Sequence, residues 1–414
     1  MKRYQKITTL IVGIALLTGC SFLGKLSDYA TSSNTASSSS STSSVLSGET
    51  FCSKAVNTPA NYATTKVGTT KLSFSASDIY QEAKDSTVIV NACYAVGSNE
   101  YNYITSGFVY TATDNTYYII TNASGIFHRY YSNDGSDSNV KVVKYGDYEI
   151  TFEDGRRYTS NLVGSFDGGD LAVFSVTTTD EIKVATIGSS DSLQVGDGVI
   201  AIGTPSLGEN LMNTIVRGVV SGLNRREIVY FDTTVNNMAR SFDIASYEAF
   251  QFDAPINGGM EGGPVYNSNG EVIGMLSYKY TNSTSSVSYE SVSMSIPLDN
   301  LKNPIDDIIK TGSYTRPTIG VTVSDVDQFS LSQLTSNNIA SGLYTGCYIS
   351  EVSSGSAAAK AGMKKGETVI EIGGVATENM SVISGQLQRY DIGDTLVIKT
   401  MDSSGVTHSY TLTF

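Results

Sequence analysis

In this 414-residue chain the residues best placed to do chemistry lie in "DAPINGGMEGGPVYNSNGEVIG", Asp253 to Gly274. Gly258, Gly259, Gly262 and Gly263 surround one carboxylate, Glu261, and Pro264 fixes the exit. Glycine takes backbone angles closed to other residues and proline locks its own, so the stretch reads as a sharply turned loop presenting one side chain. Glu261 as a covalent nucleophile would suit glycosyl or phosphoryl transfer. That chemistry calls for a second carboxylate, a metal-ligand set or a phosphate loop, and none accompanies it. A base that titrates near neutral pH is normally histidine, and the chain has two. His408 is remote, in the last strands, and His128 stands beside Arg129 as a surface histidine would. No two of Cys20, Cys52, Cys93 and Cys347 stand at metal-ligand spacing, so no metal and no cofactor is expected.

The elements that must position this loop are strands. "STVIVNACYAV", "SGFVYTATDNTYYIIT", "YEITFEDGRRYTSNLVGS", "DLAVFSV", "GVIAIG" and "TIVRGVVSGL" alternate apolar with polar residues and are rich in Val, Ile, Tyr and Thr. They turn at Asp-Gly, Asp-Asn and Asn-Gly, which predicts antiparallel β-barrels. Helical periodicity is confined to "SASDIYQEAKDS" before the barrels, "LDNLKNPIDDIIKTG" after them and short later pieces. The second helix, ending near Gly312, marks a domain boundary.

The N-terminus carries Lys2, Arg3 and Lys6, then "ITTLIVGIALL", then "LTGC" closing at Cys20. This is the pattern of a secretory signal, too short for a stable membrane span. Leu17 to Cys20 resembles the lipobox of bacterial lipoproteins, which implies lipidation of Cys20 and attachment to an extracytoplasmic membrane surface. Residues 20–74 are Ser/Thr-rich and read as a flexible tether. Without residues 1–19 the chain has 24 basic against 40 acidic residues, a net of −16, which disfavours nucleic acid and anionic lipid as partners. Cys52 and Cys93 can pair in an oxidising exterior, while Cys347, inside "GCYISEV", reads as a buried thiol.

In order and spacing, "SGFVY", "YYIITNASGIF", "FDGGDLAVFSV", "LQVGDGVIAIGTP", "TIVRGVVSGLNR", "DAPINGGMEGGPVYNSNGEVIGM" and "SMSIP" resemble the chymotrypsin-like domain of the HtrA serine proteases. The resemblance implies a mainly β fold, two six-stranded barrels over residues 75–312 with a Ser-His-Asp triad in the cleft between them. Asp170 of "DLAVF" matches the family's aspartate. Ser124 of "TNASG" stands at its histidine and Glu261 at its serine, with Met260 where asparagine is usual. Gly259, Met260 and Glu261 form the oxyanion loop, and the long Glu261 side chain can fold back onto the N–H groups there. Its charge state is open, since burial raises the carboxyl pKa and N–H donors lower it. No catalytic residue is expected. The one candidate substitute base, His128, lies four positions past Ser124, a single turn along if that segment is helical.

Residues 313–414, "RPTIGVTVSDVD" and "GCYISEVSSGSAAAKAGMKKGETVIEIGG" above all, resemble an HtrA-type PDZ domain of α+β architecture. Such domains bind a peptide C-terminus by strand addition, so Ile319, Gly320 and Val321 of "TIGV" should present amides to its carboxylate. In the helix "NMSVISGQLQRY", Ile383 and Leu387 fit either an apolar pocket for the last side chain or the domain core. The expected protein is a lipid-anchored, proteolytically inactive HtrA-like chain that binds peptide C-termini or unfolded segments. Two alternatives stand beside it: a residually active endopeptidase in extracytoplasmic protein quality control, and a surface scaffold with an idle groove. The family resemblance also implies trimers.

Overall fold

The computed structural model describes residues 75–96, 99–131, 140–143, 147–235, 238–279 and 291–414. The stretches expected to be a signal segment and a tether, with Cys20 and Cys52, lie outside the described residues.

Helix α1 (Ala76–Ala83) opens on a capping box: Ser75 accepts from the Asp78 N–H while the Asp78 carboxylate accepts from the Ser75 N–H. Eight strands follow, β1 (Thr87–Val96), β2 (Asn99–Thr113), β3 (Thr116–Asn122), β4 (His128–Tyr131), β5 (Val140–Val143), β6 (Asp147–Thr151), β7 (Arg157–Phe166) and β8 (Leu171–Thr177). Six of them close a barrel in the order β1-β2-β3-β8-β7-β6, and β4 pairs with β5 outside it. The turns are those the sequence announced. Asp114 takes a left-handed φ of 52° between β2 and β3, and Gly155 one of 85° between β6 and β7, as two-residue and Asp-Gly hairpins require.

The second barrel is built from β9 (Gly198–Gly203), β10 (Thr214–Val235), β11 (Met238–Phe252), β12 (Pro264–Tyr266), β13 (Val272–Lys279) and β14 (Ser293–Pro297), closed in the order β10-β11-β14-β13-β12-β9. Between β11 and β12 runs the glycine-rich loop. Helix α2 (Lys302–Thr311) ends at Gly312 in the left-handed conformation, φ 81°, where an L-residue side chain would strain the C-cap. Each barrel has its own core, around Phe174 and Ile150 in the first and Phe250 and Phe252 in the second. A third cluster joins them: Ile79 of α1, Leu171 of β8, Ile202 of β9, Tyr247 of β11 and Ile305 and Ile308 of α2 pack together. Each such aliphatic side chain contributes about 1.5–3 kcal/mol by leaving water, so the two barrels are fixed to one another by the same force that builds each.

The C-terminal domain contains β15 (Val321–Asp325), α3 (Leu331–Ser336), β16 (Cys347–Val352), α4 (Ala357–Ala361), β17 (Thr368–Ile372), β18 (Val375–Ala376), α5 (Met380–Leu387), β19 (Thr395–Met401) and β20 (Thr407–Thr413). Its sheet runs β15-β16-β17-β19-β20, with β18 on β17. Strand β15 is therefore an edge, paired with β16 on one side. Helix α5 packs on β10 and β11 of the second barrel as well as on β15. Gly385 makes this possible: a Cβ there would collide with the Glu248 carboxylate and the Asn300 amide.

Candidate functional site

Asp170 is held by its backbone. It sits at a left-handed φ of 49° just before β8, a conformation Asp tolerates because its short side chain bonds locally. The carboxylate points back to the end of β3. Ser124 donates twice, its N–H to Asp170 Oδ1 at 2.6 Å and its hydroxyl to Asp170 Oδ2 at 2.8 Å, and Asn122 Nδ2 donates to Oδ2 at 3.0 Å. The structure thus joins Ser124 and Asp170, the two positions that the sequence reading expects at the family's base and carboxylate, through the Ser124 hydroxyl.

Across the cleft, the loop from Asn257 to Pro264 is turned by Gly259 at φ 97° and Gly262 at φ 82°. Both glycines are required by space as well as by angle. A Cβ on Gly259 would strike the Ser206 backbone, and one on Gly262 the Ser106 carbonyl. First-barrel residues brace the loop: Ser106 Oγ donates to the Gly259 carbonyl at 2.7 Å, Thr105 Oγ1 to the Glu261 carbonyl at 2.6 Å, and the Ser106 N–H to the same oxygen at 2.9 Å. Met260 is fully buried in the second-barrel core.

The Glu261 side chain folds back on its own loop. Its Oε2 accepts from the Gly259 N–H at 2.5 Å. The charge question left open by the sequence has a direction: burial raises the Glu261 pKa, and backbone N–H donors lower it only in part, so the net shift is upward. Behind the site, Tyr247 of β11 shares a hydrogen bond with Ser277 of β13. Burial, with Asp170, Glu227 and Glu261 nearby, holds its phenol well above the ordinary range. Sequence reading missed Tyr247, Ser277 and Glu227, which carry no motif and meet only through barrel closure.

His128 opens β4, its backbone opposite Val143 of β5. The helical placement considered for it is corrected. Residues 124–126 form a turn and His128 is the first residue of a strand, so the rise of one helical turn from Ser124 does not apply. In the C-terminal domain, Gly320 has φ 76° and its carbonyl accepts from Ser353 N–H, while Ala358 N–H donates to the Ile319 carbonyl. The carbonyls of the "TIGV" loop are thus tied to residues 353–358. Ile383 and Leu387 are each 6% exposed and pack with Ile319, Ile349 and Ile398. Both side chains therefore belong to the domain core. Cys93 is exposed on β1. Cys347 is buried, donates to Asp325 Oδ1 at 3.6 Å, and has its thiol pKa raised by burial and that carboxylate. Among the described residues no three His, Cys, Asp or Glu side chains gather as a metal site.

Residues 105–275 match the trypsin-like peptidase domain family and residues 308–400 the PDZ domain family. Over 299 residues the chain is 34% identical to serine protease Do-like HtrA of Bacillus subtilis (strain 168), covering 72% of this chain and 60% of that one. The match to serine protease Do-like HtrB of the same organism is 31% identical, over 72% and 59% of the two chains. The chain thus carries a trypsin-like peptidase domain followed by a PDZ domain and is similar to the HtrA serine proteases. It spans about three fifths of the length of these HtrA relatives. The solved HtrA-type protease AlgW with decapeptide superimposes with a TM-score of 0.54 at 20% identity, over 82% of this chain and 98% of that one, which speaks to the HtrA fold. The names of the relatives describe serine proteases; the groups at this chain's site decide what it does.

Proposed function

We propose that this HtrA-like chain does not hydrolyse peptide bonds, and that it serves as a lipid-anchored, extracytoplasmic binder of peptide C-termini or unfolded segments. One observation carries the reading: the Glu261 carboxylate folds back and accepts from the Gly259 N–H of its own loop. In a trypsin-like site a serine hydroxyl attacks, a histidine takes its proton, and two loop N–H groups hold the oxyanion. Here the position of attack holds a carboxylate that occupies one of those donors, the Gly259 N–H. The position of the base holds a hydroxyl bonded to Asp170, and a hydroxyl takes no proton near neutral pH. Triad groups act as a unit, so loss of two leaves background rates.

Binding is supported by the C-terminal domain, where the "TIGV" turn precedes an edge strand open to strand addition. AlgW, which shares the fold, has been solved with a decapeptide and with a tripeptide. The "LTGC" segment supports the anchor. Fluorescence anisotropy with a labelled decapeptide tests the binding. The free C-terminal acid should bind at least tenfold tighter than its amide, since the amide lacks the charge that the loop N–H groups attract. Equal affinities would remove the PDZ groove from the account.

A further inference from the structure

A peptide whose carboxylate is held at Ile319–Val321 and which pairs with the open edge of β15 has one possible direction. Its C-terminus lies at the start of β15, so its N-terminal part runs antiparallel towards Asp325. With the last residue counted as zero and opposite Val321, residue −4 lies opposite Asp325, at about 3.3 Å per residue. Residues −5 and −6 then pass the end of β15.

At that end the C-terminal domain meets the β10–β11 hairpin of the second barrel around a cavity of about 230 Å³. Arg225 and Arg226 of β10 line one side; Asp325, Asp327, Glu378 and Asn379 line the other. The walls are tied together, with Arg226 Nη1 donating to Asp325 Oδ2 at 3.1 Å and Asn379 Nδ2 to the Asn224 carbonyl at 3.1 Å. Asp325 also accepts from the Met380 N–H at the start of α5 at 2.7 Å, so the cavity sits where β15, α5 and the barrel converge. The Arg226–Asp325 pair is internally neutral. What remains facing the cavity is Arg225 against Asp327 and Glu378, all three exposed.

We infer that this cavity is an extension of the peptide groove, shared by the two domains, which takes a lysine or arginine five or six residues before the C-terminus of a bound peptide. The inference rests on the peptide-binding reading above. It makes the ligand longer than the segment β15 can pair and gives it a basic upstream residue.

Anisotropy on the full chain separates the two claims, using a free-acid tetrapeptide and three decapeptides with the same last four residues and Lys, Ala or Glu at −5 and −6. The lysine decapeptide should bind about three- to fivefold tighter than the alanine one, the scale of partly exposed charge pairs, and the glutamate decapeptide weakest. The double variant Asp327→Asn, Glu378→Gln should erase the lysine advantage and leave the tetrapeptide unchanged; both positions are on the surface, so the fold is kept. Equal binding of the lysine and alanine decapeptides overturns the inference while the groove reading stands. Tightest binding of the glutamate decapeptide overturns it in favour of Arg225. If none of the free-acid peptides binds, the groove reading fails and the extension with it.

Discussion

At the scale of single residues, buried carboxylates distinguish this cleft. Glu261 accepts from the Gly259 N–H, whereas Glu227 on β10 is 3% exposed and its Oε2 has no hydrogen-bond partner among the described residues. Burial pushes the Glu227 carboxyl from 4.5 up to about 7. Between those values the folded chain keeps a proton that the unfolded chain has lost, so this group makes stability fall as pH rises through about 4.5 to 7. Glu227→Gln should remove that slope. In urea unfolding it should match the native chain near pH 4 and exceed it at pH 8 by on the order of 2–3 kcal/mol; the same difference at both pH values would show that Glu227 does not carry the buried proton.

At the scale of elements, the two special loops are defined by glycine. Gly320 takes a left-handed φ, and a Cβ on it would collide with Ser356 at the head of α4. Gly320→Ala should therefore cost about 1–3 kcal/mol of stability and deform the amides of Ile319 and Val321, so peptide affinity falls while the urea midpoint shifts modestly. Unchanged affinity in a folded variant would place the carboxylate elsewhere. The strands around these loops were legible in the sequence because alternation has a period of two and their turns carry Asp-Asn, Asp-Gly and Asn-Gly. Asp170, Ser124 and Glu261 were legible as positions because each lies in a short ordered motif. The fold-back of Glu261 was foreseen as an option, because a longer side chain beside two N–H groups has a partner within reach. Other features were not legible. His128 reads equally as helix or strand over so few residues, and β4 exists only through its pairing with β5. The burial of Ile383 and Leu387 depends on residues scattered from Ile319 to Leu412, which no local period reports. Tyr247 and Ser277 are 30 positions apart and meet by closure of the second barrel.

At the scale of the whole molecule, the C-terminal domain is docked rather than tethered. Arg389 Nε of the C-terminal domain donates to Asn300 Oδ1 at 2.7 Å and Arg389 pairs with Asp191 at 2.5 Å, while Asn300 is itself held in the protease domain by donating Nδ2 to Glu248 Oε2 at 3.1 Å. Gly385→Ala should favour α5 as a helix by about 1 kcal/mol yet separate it from Glu248, so small-angle scattering of residues 75–414 should show a larger radius of gyration with the helix intact. An unchanged radius would mean that Gly385 is not what lets the domains meet. The central claim concerns the cleft that this architecture preserves. It is tested most directly by incubating the purified native chain with a fluorophosphonate probe and with casein, beside an active HtrA protease as positive control. The account predicts no covalent labelling and no cleavage above buffer; reproducible casein cleavage or labelling by the native chain, lost on Glu261→Ala or His128→Ala, would contradict it.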